Sequence, residues 1–437
     1  MKITLDQFLS ETNYFDKFLI LLIFLFPILL CNSIFLADLS ASIIALSTIY
    51  LYCSKKNKEL FFEIKTPFYF FILFYFLIIL SLIFSFSFKD SFLPSFFYFR
   101  YFLFAVGIYY FFEKYHFFSK IIFYSLIITF FLVFLDSTKQ YLIGTNFFNK
   151  PIGIDPTPFI TGFFGNEKKL GSFLVRLLPL VLSILYFLNF KKFDIYIIIL
   201  WGVFIFLSSE RTALFLYFII VLFSFLINKK KLKFLFLCFL IFFTLFTFHE
   251  KLRFKYIDYT LQQLGFADAE WNKVNDGKIR YYSKEHEDLS YTALVIFKNN
   301  IFNGSGIKTF YKICNQFKLK NEQKKINKFN FLERNNVIKC STHPHNTYFQ
   351  ILSEIGIFGF LMVFFLFFKT LFLNLKIFFK KNNNNVALSF YFLNVGIMIN
   401  IFPLIPSGSI FNNWISLILF YPLGFWLYMN KKYNEKK

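Results

Sequence analysis

Residues 180–231 read LVLSILYFLNFKKFDIYIIILWGVFIFLSSERTALFLYFIIVLFSFLINKKK, three apolar runs cut by a Lys pair, by Ser-Ser-Glu-Arg and by a Lys triplet. The runs, with the residues leading into the first, cover 169–188, 194–209 and 211–227. Segments of this length and so little charge read as helices crossing lipid, whose apolar core takes about 20 residues of helix. Successive spans reverse direction, so Lys191 and Lys192 share a face with Lys229, Lys230 and Lys231, and the SSER turn lies on the opposite one. Lys-rich loops stay in the cytoplasm.

The pattern extends along the whole chain. Its 437 residues are 57% hydrophobic and 24% aromatic, with 76 Phe and only 16% charged residues, where a soluble domain carries roughly 25% charged. That excludes an ordinary water-facing enzyme. Twelve spans are expected, near residues 16–31, 34–53, 67–87, 96–112, 118–136, 169–188, 194–209, 211–227, 234–248, 348–373, 386–405 and 411–429. Every second loop is rich in Lys, which places both termini in the cytoplasm, and the first span lacks a cleavage site and is read as retained. The formal charge of +22 raises the question of nucleic acid, but the excess sits in short Lys clusters between apolar runs, which orient a membrane protein instead. The expected fold class is an all-α integral membrane protein of about 12 transmembrane helices.

Three regions follow: residues 1–248 with nine spans, 249–346 as one large extramembrane cap on the outer side, and 347–437 with three spans and a cytoplasmic tail. The cap carries 17 basic and 10 acidic residues. Within it, the Lys- and Asn-rich 318–336 reads as a solvated loop, and 291–300 (YTALVIFKNN) reads as a helix on the membrane surface, stopped by NGSG. Cys31, Cys53 and Cys238 lie in or beside spans, as small apolar residues. Cys314 and Cys340 lie in the cap. A disulfide between them would close a loop around the Lys/Asn stretch and tether the segment before His343; two free thiols are the other reading.

The chain has six Arg against 41 Lys among its 47 basic residues, which suggests that Arg is kept where a planar fork is needed, as in gripping a phosphate. Arg211, in SSERTALF at a span boundary, is the clearest candidate; snorkelling to headgroups or pairing with Glu210 are the plainer readings. Arg176, inside the sixth span, and Arg100, at the start of the fourth, are either site residues or structural ion-pair partners. A second cluster is STHPHNTYFQILSEIGIFGF, 341–360. Pro344 favours an extended backbone before it, which brings His343 and His345 to one spot at the mouth of a helix. A neutral imidazole there can take a proton from a sugar hydroxyl. Zinc held by Cys314, Cys340, His343 and His345 competes with that reading, as does a structural cap in which Asn346 satisfies free helix amides. Gln350 and Glu354 either orient His345 or are interior polar residues. His116, His249 and His286 receive no role.

These stretches resemble the O-antigen ligase and O-antigen polymerase superfamily of bacterial inner membranes. HPHNTYFQILSEIGIFG is similar to the family's His-Asn motif running into a helix with an acidic residue and Gly-x-x-Gly. SSERTALF is similar to its Ser-Arg-Thr turn, FFGNEKKLGSFLVRLLPL to the entry of the preceding span, and KIRYYSKEHEDLSYTALVIFKNNIFNGSGIKTF to its Arg followed by a helix and a Gly-x-Gly turn. Together they cover about residues 160–370; the first four spans match only in hydropathy. The resemblance implies a GT-C-like fold with one large periplasmic loop between helices 9 and 10. It implies a metal-independent, inverting glycosyltransferase without a cofactor, using an undecaprenyl-diphosphate-linked glycan as donor and lipid A-core or a nascent glycan as acceptor. Arg211 and Arg280 would bind the diphosphate and His345 would be the base. His343 is a second candidate base, and Arg176, Arg100, His343 and Asn346 are further candidates for substrate binding.

Within the superfamily, chain length and the late position of the cap favour a ligase over a polymerase. A flippase-type transporter is the alternative from another class. Many transporters have two halves joined by a cytoplasmic linker and polar sites at mid-membrane, whereas here the sixth and seventh spans are joined around Lys191 and Lys192 and the polar residues gather at one face.

Overall fold

The computed structural model describes residues 10–53, 63–155, 157–227, 240, 243–244, 246–266, 279–321, 338–380 and 384–435. The first nine helices are α1 (Tyr14–Asn32), α2 (Ile34–Cys53), α3 (Lys65–Ile83), α4 (Phe88–Phe96), α5 (Phe99–Lys114), α6 (Phe118–Ile143), α7 (Leu170–Phe187), α8 (Asp194–Leu207) and α9 (Arg211–Ile227). After a helical turn over residues 250–263 follow α10 (Lys284–Asn299), α11 (Phe310–Asn321), α12 (Thr347–Glu354), α13 (Ile357–Phe379), α14 (Asn385–Asn400) and α15 (Asn413–Glu435). The strands found among the described residues are two pairs of residues, Gly153–Ile154 and Pro158–Phe159, joined as a small antiparallel hairpin.

Seven segments among the described residues are helical, long and apolar enough to cross a membrane: α1, α2, α3, the stretch Phe88–Lys114, α6, α7 and α13, with α9 and α14 shorter apolar helices. The expected span at 234–248 lies largely outside the described residues, as does most of the 318–336 stretch. The expected span at 348–373 is not one helix. It breaks between α12 and α13 at Gly356, whose φ of +93° favours glycine. The break is a docking point: a Cβ at Gly356 would lie 2.4 Å from the Phe302 carbonyl oxygen, and one at Gly304 would lie 2.4 Å from the backbone of Glu354 and Ile355. Ser305 N–H donates to Ser353 O and Gly306 N–H to Glu354 O, both at 3.0 Å. NGSG thus does more than stop α10, since it locks the cap onto the head of α13.

Helix α7 is the hub. It packs against α14, α8 and α9, and α5 packs against α2 and α15. Small and polar residues let the helices approach and bond within the apolar bundle: Ser183 Oγ lies 2.7 Å from Ser389 Oγ, and Trp426 Nε1 donates to Asn394 Oδ1 at 2.8 Å. The connection from α6 to α7 is held by Gln140, whose Oε1 accepts from Thr161 N at 2.8 Å and Gly162 N at 2.9 Å, and by Asn146 Nδ2 donating to Gly162 O at 2.8 Å. These bonds fix a long loop so that Asp155 and Lys168 arrive beside α9.

Candidate functional site

The SSER turn positions the first wall. Glu210 accepts from Gly171 N at 2.7 Å, Ser172 N at 3.0 Å and Ser172 Oγ at 2.8 Å. It therefore satisfies the free amides at the start of α7, where a carboxylate is favoured, and is not the partner of Arg211. The Arg211 guanidinium instead donates to Thr260 Oγ1 at 3.0 Å and Gln263 Oε1 at 2.7 Å, and packs 5.3 Å from the centre of the Tyr259 ring. The same ring carries Lys255 Nζ at 4.7 Å. Lys255 belongs to a π-helical turn, residues 254–258, anchored by Tyr256, which stacks on Phe206 at 5.2 Å and donates its hydroxyl to Phe206 O at 2.9 Å. Lys255 Nζ donates to Asp155 O at 2.7 Å, and Lys168 Nζ lies 3.9 Å from the Asp155 carboxylate. Burial, then Lys168, holds Lys255 down at about 8, and burial lowers Lys168 with Asp155 opposing.

The second wall is a strap over residues 338–346. Cys314 and Cys340 are disulfide-bonded, with Cα atoms 5.5 Å apart. Thr292 Oγ1 accepts from Lys339 N at 3.1 Å, and Lys339 Nζ meets Glu285 at 2.5 Å. At the other end Asn346 caps α12: its Oδ1 accepts from Tyr348 N at 2.9 Å and Phe349 N at 3.2 Å, and its Nδ2 donates to Pro403 O and Ile405 O. Between these anchors His345 adopts φ +56°, and the His343 and His345 ring centres lie 4.1 Å apart. His343 is committed at both nitrogens, with Nε2–H donating to Ser407 O at 3.3 Å and Nδ1 accepting from Thr342 Oγ1 at 2.9 Å. His345 Nε2 meets Ser341 Oγ at 3.1 Å. Burial, then His345, pushes His343 down to about 4; burial also lowers His345, partly offset by Glu285. Both shifts favour the neutral ring.

A cavity of about 750 Å³ joins the walls, with Lys168, Arg176, Arg211 and Lys255 on one side and His286, His343 and His345 on the other. Arg176 also bonds Asn400. The other candidates lie off this lining. Arg100 pairs with Asp38 at 2.8 Å, and Arg280, its side chain 6% exposed, pairs with Glu287 at 3.0 Å. The Asn346 side chain is spent on the cap. Gln350 bonds Glu354 at 2.9 Å and Ser409 at 2.8 Å, bracing the 401–412 segment, and no bond joins either residue to His345 among the described residues. The disulfide uses both thiolates that a Cys/His zinc site would need.

Sequence reasoning passed over Lys168, Lys255 and His286. Nothing distinguishes two Lys among 41, but His286 is one of only five His, and that scarcity was a usable signal. His286 Nδ1 bonds Ser283 Oγ at 2.6 Å, and its ring centre lies 5.7 Å from that of His345. The expected helix at 291–300 exists as part of α10, which packs against α12.

No curated protein matches the chain. The family described as O-antigen ligase matches residues 195–364. This segment, which carries Arg211, Arg280, His343 and His345, is similar to that family, which supports the O-antigen ligase and polymerase superfamily.

Proposed function

We propose that the chain is an O-antigen ligase, moving a glycan from undecaprenyl diphosphate onto lipid A-core at the periplasmic face of the bacterial inner membrane. The observation that carries this reading is one cavity in which cations face neutral imidazoles at the ends of apolar helices. His345 takes the proton of the acceptor hydroxyl as its oxygen attacks the anomeric carbon; the bond to the diphosphate breaks, and the leaving group departs with the electron pair. Arg211 and Arg176, with the lysines beside them, neutralise the charge that develops there. His343, tied at both nitrogens, positions the neighbouring ring. Arg280, bonded to Glu287, holds the turn that presents His286. A single attack inverts the anomeric configuration. Lys-rich loops opposite the SSER turn support cytoplasmic termini, and the late cap supports ligase over polymerase.

Lipopolysaccharide electrophoresis on a strain lacking the gene tests the reading. Loss of all glycan-bearing lipopolysaccharide, with long glycans accumulating on undecaprenyl diphosphate, is expected. Core carrying one repeat unit and no ladder would make the chain a polymerase, and an unchanged ladder would remove lipid A-core as its acceptor.

A further inference from the structure

Three imidazoles line the cavity, and the reaction described above engages only His343 and His345. His343 has both ring nitrogens tied, to Thr342 and Ser407, and His345 has Nε2 tied to Ser341. The third, His286, bonds Ser283 Oγ through Nδ1 at 2.6 Å. Among the described residues two ring nitrogens of the three are therefore left without a hydrogen-bond partner, Nδ1 of His345 and Nε2 of His286. Their rings stand 85° apart with centres 5.7 Å from each other, close enough to contact one sugar ring together.

The fold holds His286 in place from both walls. It lies in the first turn of α10, where its backbone N–H donates to Ser283 O at 2.9 Å. On one side Arg280 N donates to Leu264 O at 2.9 Å, which ties the turn before His286 to the segment whose Thr260 and Gln263 hold Arg211. On the other side the preceding residue, Glu285, meets Lys339 of the strap at 2.5 Å. His286 thus stands at the joint between the cation wall and the histidine wall. Burial, then His345, favours its uncharged form, so it brings a hydrogen-bonding atom to the cavity and not a further charge.

We propose that Nε2 of His286 binds a second hydroxyl of the acceptor saccharide, so that the acceptor is held at two points and one hydroxyl is delivered to His345. The role rests on reading the cavity as the site of glycosyl transfer, and it makes His286 a determinant of which acceptor hydroxyl reacts. A hydroxyl both donates and accepts, so it suits Nε2 in either tautomer that the Ser283 bond selects. One contact at the attacked hydroxyl leaves the sugar free to turn about it, and a second contact fixes its orientation. His286 moves no proton in this role.

The test is steady-state transfer by the purified full chain in detergent, with an undecaprenyl-diphosphate-linked glycan as donor and lipid A-core as the varied acceptor. His286→Phe keeps a ring against His345 but lacks the nitrogen. It should raise the acceptor KM about tenfold, the effect of one lost hydrogen bond, and leave kcat and the donor KM within about twofold of wild type. His286→Gln, whose amide reaches the place of Nε2, should restore most of the acceptor affinity. His286→Ala carries the same expectation as the Phe variant should that one fold poorly. An unchanged acceptor KM in the Phe and Ala variants, a loss confined to kcat, or failure of Gln to restore affinity would overturn the proposal while wild-type transfer leaves the functional reading standing. No transfer to lipid A-core by the wild type would overturn the ligase reading, and the role of His286 with it.

Discussion

The two walls of the cavity are built in different ways. The cation wall stands on the heads of α7 and α9 and on a π-helical turn, and it brings positive charge. The histidine wall hangs on a strap fixed by a disulfide at one end and a helix cap at the other, and in the proposed reaction it brings a neutral base. A charge acts over several ångströms and tolerates a small displacement, whereas proton transfer needs hydrogen-bond contact with the acceptor. The stronger mechanical bracing belongs to the wall that must be placed more closely, even though it lies outside the apolar bundle.

The largest expected effect falls on the base. His345→Ala should lower transfer by about 10²- to 10⁴-fold in purified protein while leaving pyrophosphate binding intact; equal loss of both would mean the walls are not separable. Arg211→Lys keeps the charge but loses the fork that reaches Thr260 and Gln263, and should cost about 10²-fold in transfer, read as kcat/KM with a lipid-linked donor. A pH profile sharpens the contrast further. Burial lowers His345 below the ordinary imidazole value, so the base gains its neutral form as pH rises through a midpoint below that of a free imidazole. Lys255, held at about 8, loses its charge above that pH. Transfer should therefore fall on both sides of a plateau, and Lys255→Arg should remove the alkaline limb alone. An acid limb centred above pH 7 would exclude His345 as its source. The smallest effect on transfer is expected from Cys314→Ser with Cys340→Ser. Opening a loop of 26 residues' separation should cost about 3–4 kcal/mol of cap stability, seen as faster proteolysis of the cap and only a severalfold loss of rate.

Hydropathy made the membrane character legible but not the packing. Helix α7 and the most apolar 18-residue stretch of α13 have the same mean hydropathy, 2.0, yet 89% of the first is buried inside the protein and 28% of the second. Hydropathy measures which solvent a segment tolerates, and lipid and a protein interior are alike in that respect. The break at Gly356 was invisible for a related reason, because its cause is the Phe302 carbonyl more than fifty positions earlier in the chain. Arg211, His343 and His345 could be singled out because scarce residue types stood at span boundaries. Arg280 looked equivalent by motif, but its partner Glu287, seven residues on, became visible only with the fold. Lys255 was hidden by the abundance of its own kind.

The left-handed backbone at His345 has a further consequence. A β-carbon at φ +56° costs about 1–2 kcal/mol relative to glycine, so the proposed base occupies a position that a smaller residue would occupy more comfortably. His345→Gly relieves that strain while removing the imidazole. Directed evolution for heat resistance alone would then drift toward inert protein at this residue, and only a selection that also demands transfer would hold the histidine in place.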